Sequence, residues 1–216
     1  MIELRRPHAP DWGLCFAEDP ERPFHRAAVF WEPAIDASVC PVAAVPARNG
    51  PEPGLFDLTK LRVTTTVLRL PSDEEHVLLC NGTHALQLHV VEGTVLDGPV
   101  RLAYVLQDFG RFHEQRLIIE RLGTILKRRR FPDTMFTPEP GADRLLLTLK
   151  AINLEAAGLS HAAIAAELYP SDTGGGFATD WRRSRVRRLL DTGHALINGH
   201  YLKLLARPIK NGRQAA

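Results

Sequence analysis

The chain has 216 residues, of which 44% are hydrophobic and 24% are charged. This composition is typical of a globular protein with one large domain or two small ones. The longest apolar runs, such as 77–80 and 145–147, are far too short to span a membrane. No apolar signal-like stretch follows the N-terminal residues, and three widely spaced cysteines indicate reduced thiols. We therefore expect a cytoplasmic protein with no membrane partner.

The charge is distributed unevenly along the chain. Residues 1–109 hold 9 basic and 15 acidic residues, whereas residues 110–216 hold 18 basic and 10 acidic ones. The field of a basic half favours an anionic partner such as nucleic acid. An uneven but merely solvated surface would give the same count.

The first half of the chain predicts β-structure. Prolines limit residues 1–60 to short extended pieces, around 27–31 and 42–45. Three β-branched or alternating runs follow, at 64–70, 76–80 and 85–91. The dipeptide Asn81-Gly82 predicts a hairpin turn in which both residues have positive φ. Together these signals predict an antiparallel meander.

The period of the apolar residues changes after residue 110. Spacings of three and four residues relate Leu117, Ile118, Leu122, Ile125 and Leu126. They predict an amphipathic helix over 111–130, and the basic run 127–130 suits its C-terminal end. Prolines then indicate a linker at 131–142.

The C-terminal residues predict three helices. Asp143 would cap the first and Gly158 would end it, with Leu145, Leu149, Ile152 and Ala156 facing inward. Ser160 would cap a short second helix, which stops before Pro170. Thr179 or Asp180 would start the third, with Val186, Leu189, Leu190 and Ile197 inward and Gly199 at its end. The run 201–205 then indicates a short strand, such as a wing.

The third helix carries five arginines within seven residues. These are Arg182, Arg183, Arg185, Arg187 and Arg188. Helical geometry places Ser184 and Arg188 opposite the apolar face, with Arg185 and Arg187 on the flanks. An anionic partner would relieve the repulsion between these cations, and a guanidinium can bind a phosphate or a guanine edge with two hydrogen bonds. A short helix before an arginine-rich one is the order of a helix-turn-helix, although the nine-residue connection 169–177 favours a variant.

Several segments resemble a proteobacterial family that was long filed as a domain of unknown function. They are 30–33, 76–79, 91–93, 97–102, 158–169, 181–182, 184–190 and 199–205. Members of that family include an activator of type VI secretion genes, and regulators of the transfer of integrative and conjugative elements. The resemblance implies a C-terminal helix-turn-helix variant and a role in transcription. It also implies two modes of action, since the family contains DNA-binding activators and protein-binding antiactivators.

Other chemistries lack support in the sequence. Neither a Gly-x-Ser-x-Gly elbow nor a paired His-Glu zinc motif occurs. The glycines 174–176 lack the Lys-Ser/Thr of a phosphate-binding loop. Cys80, His84 and His89 do not complete a metal site, because positions 84 and 89 of a strand point to opposite faces. We therefore expect neither an enzyme nor a cofactor or metal.

We predict an α+β protein with two domains. An antiparallel β-rich domain would cover 1–130, including its helical extension, and a helix-turn-helix-like DNA-binding domain would cover 143–207 before a basic tail at 208–216. The candidate DNA contacts are Ser160, His161, Arg182, Arg183, Ser184, Arg185, Arg187, Arg188, Tyr201, Lys203 and Arg207. Trp181 would project from its helix to pack against the N-terminal domain or a partner, or to lie near the DNA backbone.

The expected partners are double-stranded DNA and, through the N-terminal domain, a second copy of the chain or a regulatory protein. A single three-helix module reads only a short half-site, and dimers are the usual solution. The favoured function is a DNA-binding transcriptional regulator that acts as an activator. The alternative is an antiactivator or assembly module that binds an acidic protein surface instead of DNA.

Overall fold

The structure, a computed structural model, describes residues 2–5, 27–47, 54–106, 109–136, 141–170 and 178–205. They form two compact units, one within Met1–Thr137 and the other Pro138–Leu204. The first unit contains a β-sheet and one long helix, and the second is helical, so the predicted α+β class is confirmed. No helix within the described ranges is long and apolar enough to cross a membrane.

The N-terminal unit is built on a six-stranded sheet. Its strands are β1 (Ile2–Arg5), β2 (Cys40–Pro46), β3 (Thr64–Arg69), β4 (Glu75–Cys80), β5 (Ala85–Glu92) and β6 (Val100–Tyr104), in the order β1-β3-β4-β5-β2-β6. The antiparallel pairing of β3, β4 and β5 confirms the predicted meander.

The sheet as a whole is mixed, so the domain predicted as antiparallel also contains two parallel pairs. β1 lies parallel to β3, and β2 lies parallel to β5 while pairing antiparallel with β6. Both parallel strands precede the meander in the chain and join its edges through long connections. Parallel pairing requires such crossovers, and local sequence patterns do not reveal which edge an early strand will join.

The hairpin between β4 and β5 forms where it was predicted, but with a different turn. Among the described non-glycine residues only Asp73 and Arg129 have positive φ, so Asn81 does not. Gly82 has a φ of 90° and occupies the first central position of the turn. The Asn81 side-chain oxygen accepts hydrogen bonds from the backbone N–H groups of Thr83 (3.0 Å) and His84 (2.7 Å). Asn81 thus stabilises the turn as its first residue, through its side chain.

Helix α1 (Phe112–Arg128) covers one face of the sheet. Its Ile118, Leu122 and Ile125 share a buried core with strand residues such as Val67 and Leu88. The amphipathic helix predicted over 111–130 is therefore confirmed, and its apolar spacing is what joins it to the sheet. Residues 27–30 supply Ala28 and Phe30 to a second cluster with Leu68 and Leu78.

The first part of the predicted linker also packs in this unit. Phe131 is buried in the same core as α1, and Phe136 stacks on His84 with ring centroids 4.4 Å apart. A short 3-10 helix, Asp133–Met135, lies between these two residues.

Three helices form the C-terminal unit. They are α2 (Ala142–Ala156), α3 (His161–Leu168) and α4 (Ala178–Ala195). Their common core contains Ala151, Ile164, Val186, Leu189 and Leu190. Most of the inward positions predicted on α4 are thereby confirmed.

The inward face predicted for α2 is wrong in part. Leu149 is exposed, and the buried positions are Thr148 and Ala151, with Leu147 and Ile152 packed against the core. Gly193 of α4 explains this choice, because a Cβ there would lie 2.4 Å from Ile152 Cγ1 and 3.3 Å from Thr148 Cγ2. The two helices approach so closely that only small or branched side chains fit the crossing.

The predicted ends of α2 and α3 agree with the structure in two places and differ in one. Ser160 caps α3, accepting a hydrogen bond from Ala163 N at 3.3 Å, and Gly158 has the left-handed φ of 84° expected after α2. Gly141 precedes α2 without a side-chain cap, so Asp143 does not cap it.

A π-helical turn (Leu196–His200) and a short helix, α5 (Leu202–Leu205), follow α4, so the predicted strand at 201–205 is wrong. Ile197 is exposed rather than inward. Gly199 lies inside the turn with a φ of 99°, which ends the regular helix as expected.

Candidate nucleic-acid interface

The arginines of α4 lie on two flanks of an exposed surface. Packing against α2 and α3 buries one face of the helix through Val186, Leu189 and Leu190. Ser184 is exposed on the opposite face. The arginines at positions 185 and 188 lie on one side of it and those at 183 and 187 on the other, all four exposed. The apolar stripe thus directs four guanidinium groups away from the core.

Arg182 differs from its neighbours because it is only partly exposed, beside the buried stripe of the helix. Its guanidinium carbon lies 5.9 Å from the centroid of the Trp181 ring. The structure therefore separates Arg182 from the exposed arginines, as its place in the helical period implies.

Two aromatic rings support Arg185 at the junction between α3 and α4. Its guanidinium carbon lies 5.1 Å from the Tyr169 ring centroid and 6.0 Å from that of Trp181. The two rings are 5.9 Å apart and inclined at 50°. Cation–π attraction from both rings restricts where the guanidinium can point. The sequence did not predict this contact, because the spacing between positions 169 and 185 carries no periodic signal.

Arg188 is oriented by its own helix. Its Nε donates a hydrogen bond to the backbone oxygen of Ser184 at 3.3 Å. The bond turns the side chain back along the helix, so its guanidinium lies beside Ser184 on the outward face. A fixed guanidinium loses less conformational entropy when it binds a partner.

A groove of about 530 Å³ runs between α2 and α4. Its lining consists of Asp143, Arg144, Leu147, Trp181, Arg185, Arg188 and Leu189. Positions 181, 185 and 188 of α4 share one side of that helix, with spacings of four and three residues. The sequence had assigned no functional residue to α2, and nothing in its pattern relates positions 143–147 to the arginine cluster.

Ser160 and His161 lie away from the exposed arginines. The Ser160 hydroxyl is used in capping α3, and His161 Nε2 lies 3.9 Å from Oε1 of Glu155. The other oxygen of this carboxylate lies 2.8 Å from Nε2 of His194, near the C-terminal end of α4. Because His194 follows Arg185 by nine residues, about 14 Å of helix separates them. The structure therefore does not bring these two predicted phosphate contacts together with the arginine cluster.

The remaining candidates lie at the end of the C-terminal unit. Tyr201 is partly buried and Lys203 is exposed on α5. Because α5 is helical, the interpretation of Tyr201 and Lys203 as wing residues is wrong. Arg207, the connection 171–177 and the tail 208–216 lie outside the described residues.

An exposed, arginine-rich helix on a three-helix core is typical of DNA-binding domains. Residues 110–206 match the family model of the RovC DNA-binding domain, described as a T6SS (type VI secretion system) transcription factor, DNA-binding domain. This match confirms the resemblance to a family that includes a type VI secretion activator, and it supports a DNA-binding transcription regulator. A comparison with curated proteins finds no significant match.

Proposed function

We propose that the protein is a transcriptional activator that binds double-stranded DNA through α4, as the second helix of a helix-turn-helix variant. The observation that carries this proposal is the arrangement of α4. One of its faces packs on α2 and α3, and the opposite face presents Ser184 with guanidinium groups on both flanks. An α-helix fits the major groove with its outward face toward the base edges.

Contacts with base edges and contacts with phosphates would fall on different parts of this surface. Ser184 and Arg188 lie nearest the centre of the outward face and would reach base edges, where a guanidinium can bind guanine O6 and N7. The flanking arginines at positions 183, 185 and 187 would lie closer to the two sugar-phosphate backbones that border the groove. The exposed Lys203 would add electrostatic attraction.

A single C-terminal unit would cover only a short half-site. We propose that the protein binds DNA as a homo-oligomer in the cytoplasm, with the N-terminal unit supplying self-association or a contact with a regulatory protein. The match to a T6SS transcription factor domain supports a role in transcription. The resemblance to a family that includes an activator of type VI secretion genes favours activation.

Fluorescence anisotropy tests DNA binding directly. The full chain is titrated into the duplex upstream of its own operon and into a scrambled duplex, each at two salt concentrations. We expect tighter binding to the native duplex, with log K falling by about 0.9 per phosphate neutralised for each tenfold rise in salt. Absence of binding to either duplex at low salt would refute DNA binding and favour a protein-binding antiactivator.

The Arg188→Ala variant tests the proposed base contact. We expect it to lose about 1–3 kcal/mol on the native duplex and clearly less on the scrambled one. Arg69→Ala is a control of equal charge. Arg69 lies in the N-terminal unit and only forms an exposed ion pair with Asp73 at 3.5 Å. An equal loss on both duplexes would assign Arg188 to a phosphate instead.

A reporter gene behind the same upstream sequence tests the direction of regulation. An activator raises its transcription, and the Arg188→Ala variant should reduce the output toward the level without the protein. A rise in output with this variant would instead identify a repressor.

A further inference from the structure

We propose that the groove between α2 and α4 binds a backbone phosphate of the DNA, and that Arg144 of α2 is one of its contacts. This inference rests on the proposed function. It adds a residue that lies outside the arginine cluster, on a helix that the sequence had assigned only to the core.

Arg144 contributes to the groove from the side opposite α4. It lines the groove together with Leu147, one helical turn further along α2. Arg185 and Arg188 line it from α4. Because Arg188 is the proposed base contact, the phosphate would lie between Arg144 and Arg185. The same two helices approach each other closely at Gly193, beside Ile152 and Thr148.

The position of the groove on α4 fits a phosphate better than a base. The outward face is centred on Ser184, and the groove lies to one flank of it, on the side of Trp181 and Arg185. When the outward face enters the major groove of DNA, a flank faces the sugar-phosphate backbone that borders it.

The walls of the groove would strengthen an ionic contact. Leu147 and the buried Leu189 give it an apolar floor, and Trp181 forms part of a wall. Attraction between a guanidinium and a phosphate increases as water is displaced from such a surface. The aromatic support of Arg185 keeps one of these two guanidinium groups in place beforehand.

Among the described residues that line the groove, Asp143 carries a carboxylate. Asp143 lies in the first turn of α2, where a negative charge is favourable to the helix. A phosphate bound in the groove would be repelled by it. Neighbouring residues on α2 thus provide two charge changes of opposite sign, and a phosphate site must respond to both.

The test measures DNA binding by the full chain and its Arg144→Ala, Asp143→Asn and Lys150→Ala variants. Lys150 is a matched control, because it is an exposed cation on α2 that pairs with Glu167 at 3.5 Å and does not line the groove. We expect Arg144→Ala to weaken binding to native and scrambled duplexes alike, by about tenfold, and to reduce the salt slope by about 0.9. Asp143→Asn should strengthen binding to both duplexes, and Lys150→Ala should change neither.

The results separate this inference from the proposed function. If Arg144→Ala binds as the wild type does while Arg188→Ala loses affinity, the groove does not hold a phosphate although the protein still binds DNA. A loss confined to the native duplex would also overturn the inference, because a phosphate contact does not depend on sequence. Failure of the wild type to bind any duplex would overturn both proposals. Thermal unfolding of each variant shows whether the variant is folded. Arg144→Lys keeps the positive charge and should recover most of the salt slope, so it separates a loss of charge from a loss of folding.

Discussion

The crossing of α2 and α4 at Gly193 can be tested by adding a single methyl group. In Gly193→Ala the new Cβ would lie 2.4 Å from Ile152 Cγ1 and 2.6 Å from its Cδ1. Alanine in a helix gains about 1 kcal/mol over glycine through propensity. Inserting a methyl group into a packed core costs about 1–3 kcal/mol. With a cost near the middle of that range, we expect the free energy of unfolding to fall by about 1 kcal/mol.

Gly123 of α1 provides the matched control. It is also inside a helix, but a Cβ there would meet no atom within 4 Å. Gly123→Ala should therefore gain up to about 1 kcal/mol of stability, opposite in sign to the change at Gly193. Urea unfolding followed by circular dichroism at the helical band measures both variants.

A second substitution identifies the cause of the expected loss. Ile152→Ala removes both atoms that the new methyl group would approach most closely, so Gly193→Ala should cost less in that background than in the wild type. The difference is a coupling energy of about 1 kcal/mol. Equal gains in stability for Gly193→Ala and Gly123→Ala, or purely additive effects with Ile152→Ala, would refute the close crossing.

Three further predictions concern stability. Ser160→Ala removes the cap of α3 and should lower the free energy of unfolding by about 1 kcal/mol in a urea titration. Ser160→Asp can also cap the helix, so it should keep most of the stability that the serine provides. Gly93→Ala should cost more than about 3 kcal/mol or prevent folding, because at a φ of 80° its Cβ would lie 2.1 Å from the backbone oxygen of Ala44; circular dichroism of the purified variant would show this. Burial, with a smaller effect from the stacked His89, lowers the pKa of His76 from 6.5 to about 3. As the pH falls, the unfolded chain therefore binds a proton at this histidine before the folded chain does. The contribution to stability that is complete above pH 6.5 is lost as the pH falls toward 3. When the pH is lowered from 7.5 to 5, the free energy of unfolding measured by urea titration should fall by about 2 kcal/mol less for the His76→Gln variant than for the wild type.

The elements that the sequence predicted well are those whose pattern repeats over several residues. The spacing of Ile118, Leu122 and Ile125 is enough to define both the helix and its buried face. The meander could be predicted from the β-branched or alternating residues of its strands and from the turn dipeptide Asn81-Gly82. The exposed arginines could also be predicted, because Val186, Leu189 and Leu190 fix the inward side of α4 and leave the other sides to solvent.

The elements that it missed depend on contacts between distant segments. β1 and β6 have four and five residues, and each lies at an edge of the sheet, so their sequence patterns are short. The sequence predicted only the middle of β2, as the extended piece around 42–45. Pro41 and Pro46 fit near its two ends, and its antiparallel pairing with β6 runs from Val42 to Pro46.

The leucines of α2 show how tertiary packing can select between two faces of one helix. Leu145, Leu146, Leu147 and Leu149 surround most of its circumference, so the sequence supports more than one apolar stripe. Close approach to Gly193 selects the stripe with Thr148 and Ala151. That selection also sets which side of α2 borders the groove, which is why the place of Arg144 could not be found from periodicity.

The family match and the compact units divide the chain at different places. The match begins at residue 110 and so includes all of α1, whereas the helical unit begins at Pro138. The residues by which α1 packs on the sheet, Leu122 and Ile125 among them, are fully buried. A fragment cut at residue 110 would expose this apolar face to water and would be prone to aggregate. The sheet therefore covers the apolar face of α1, which is the first long helix of the segment that matches the family model.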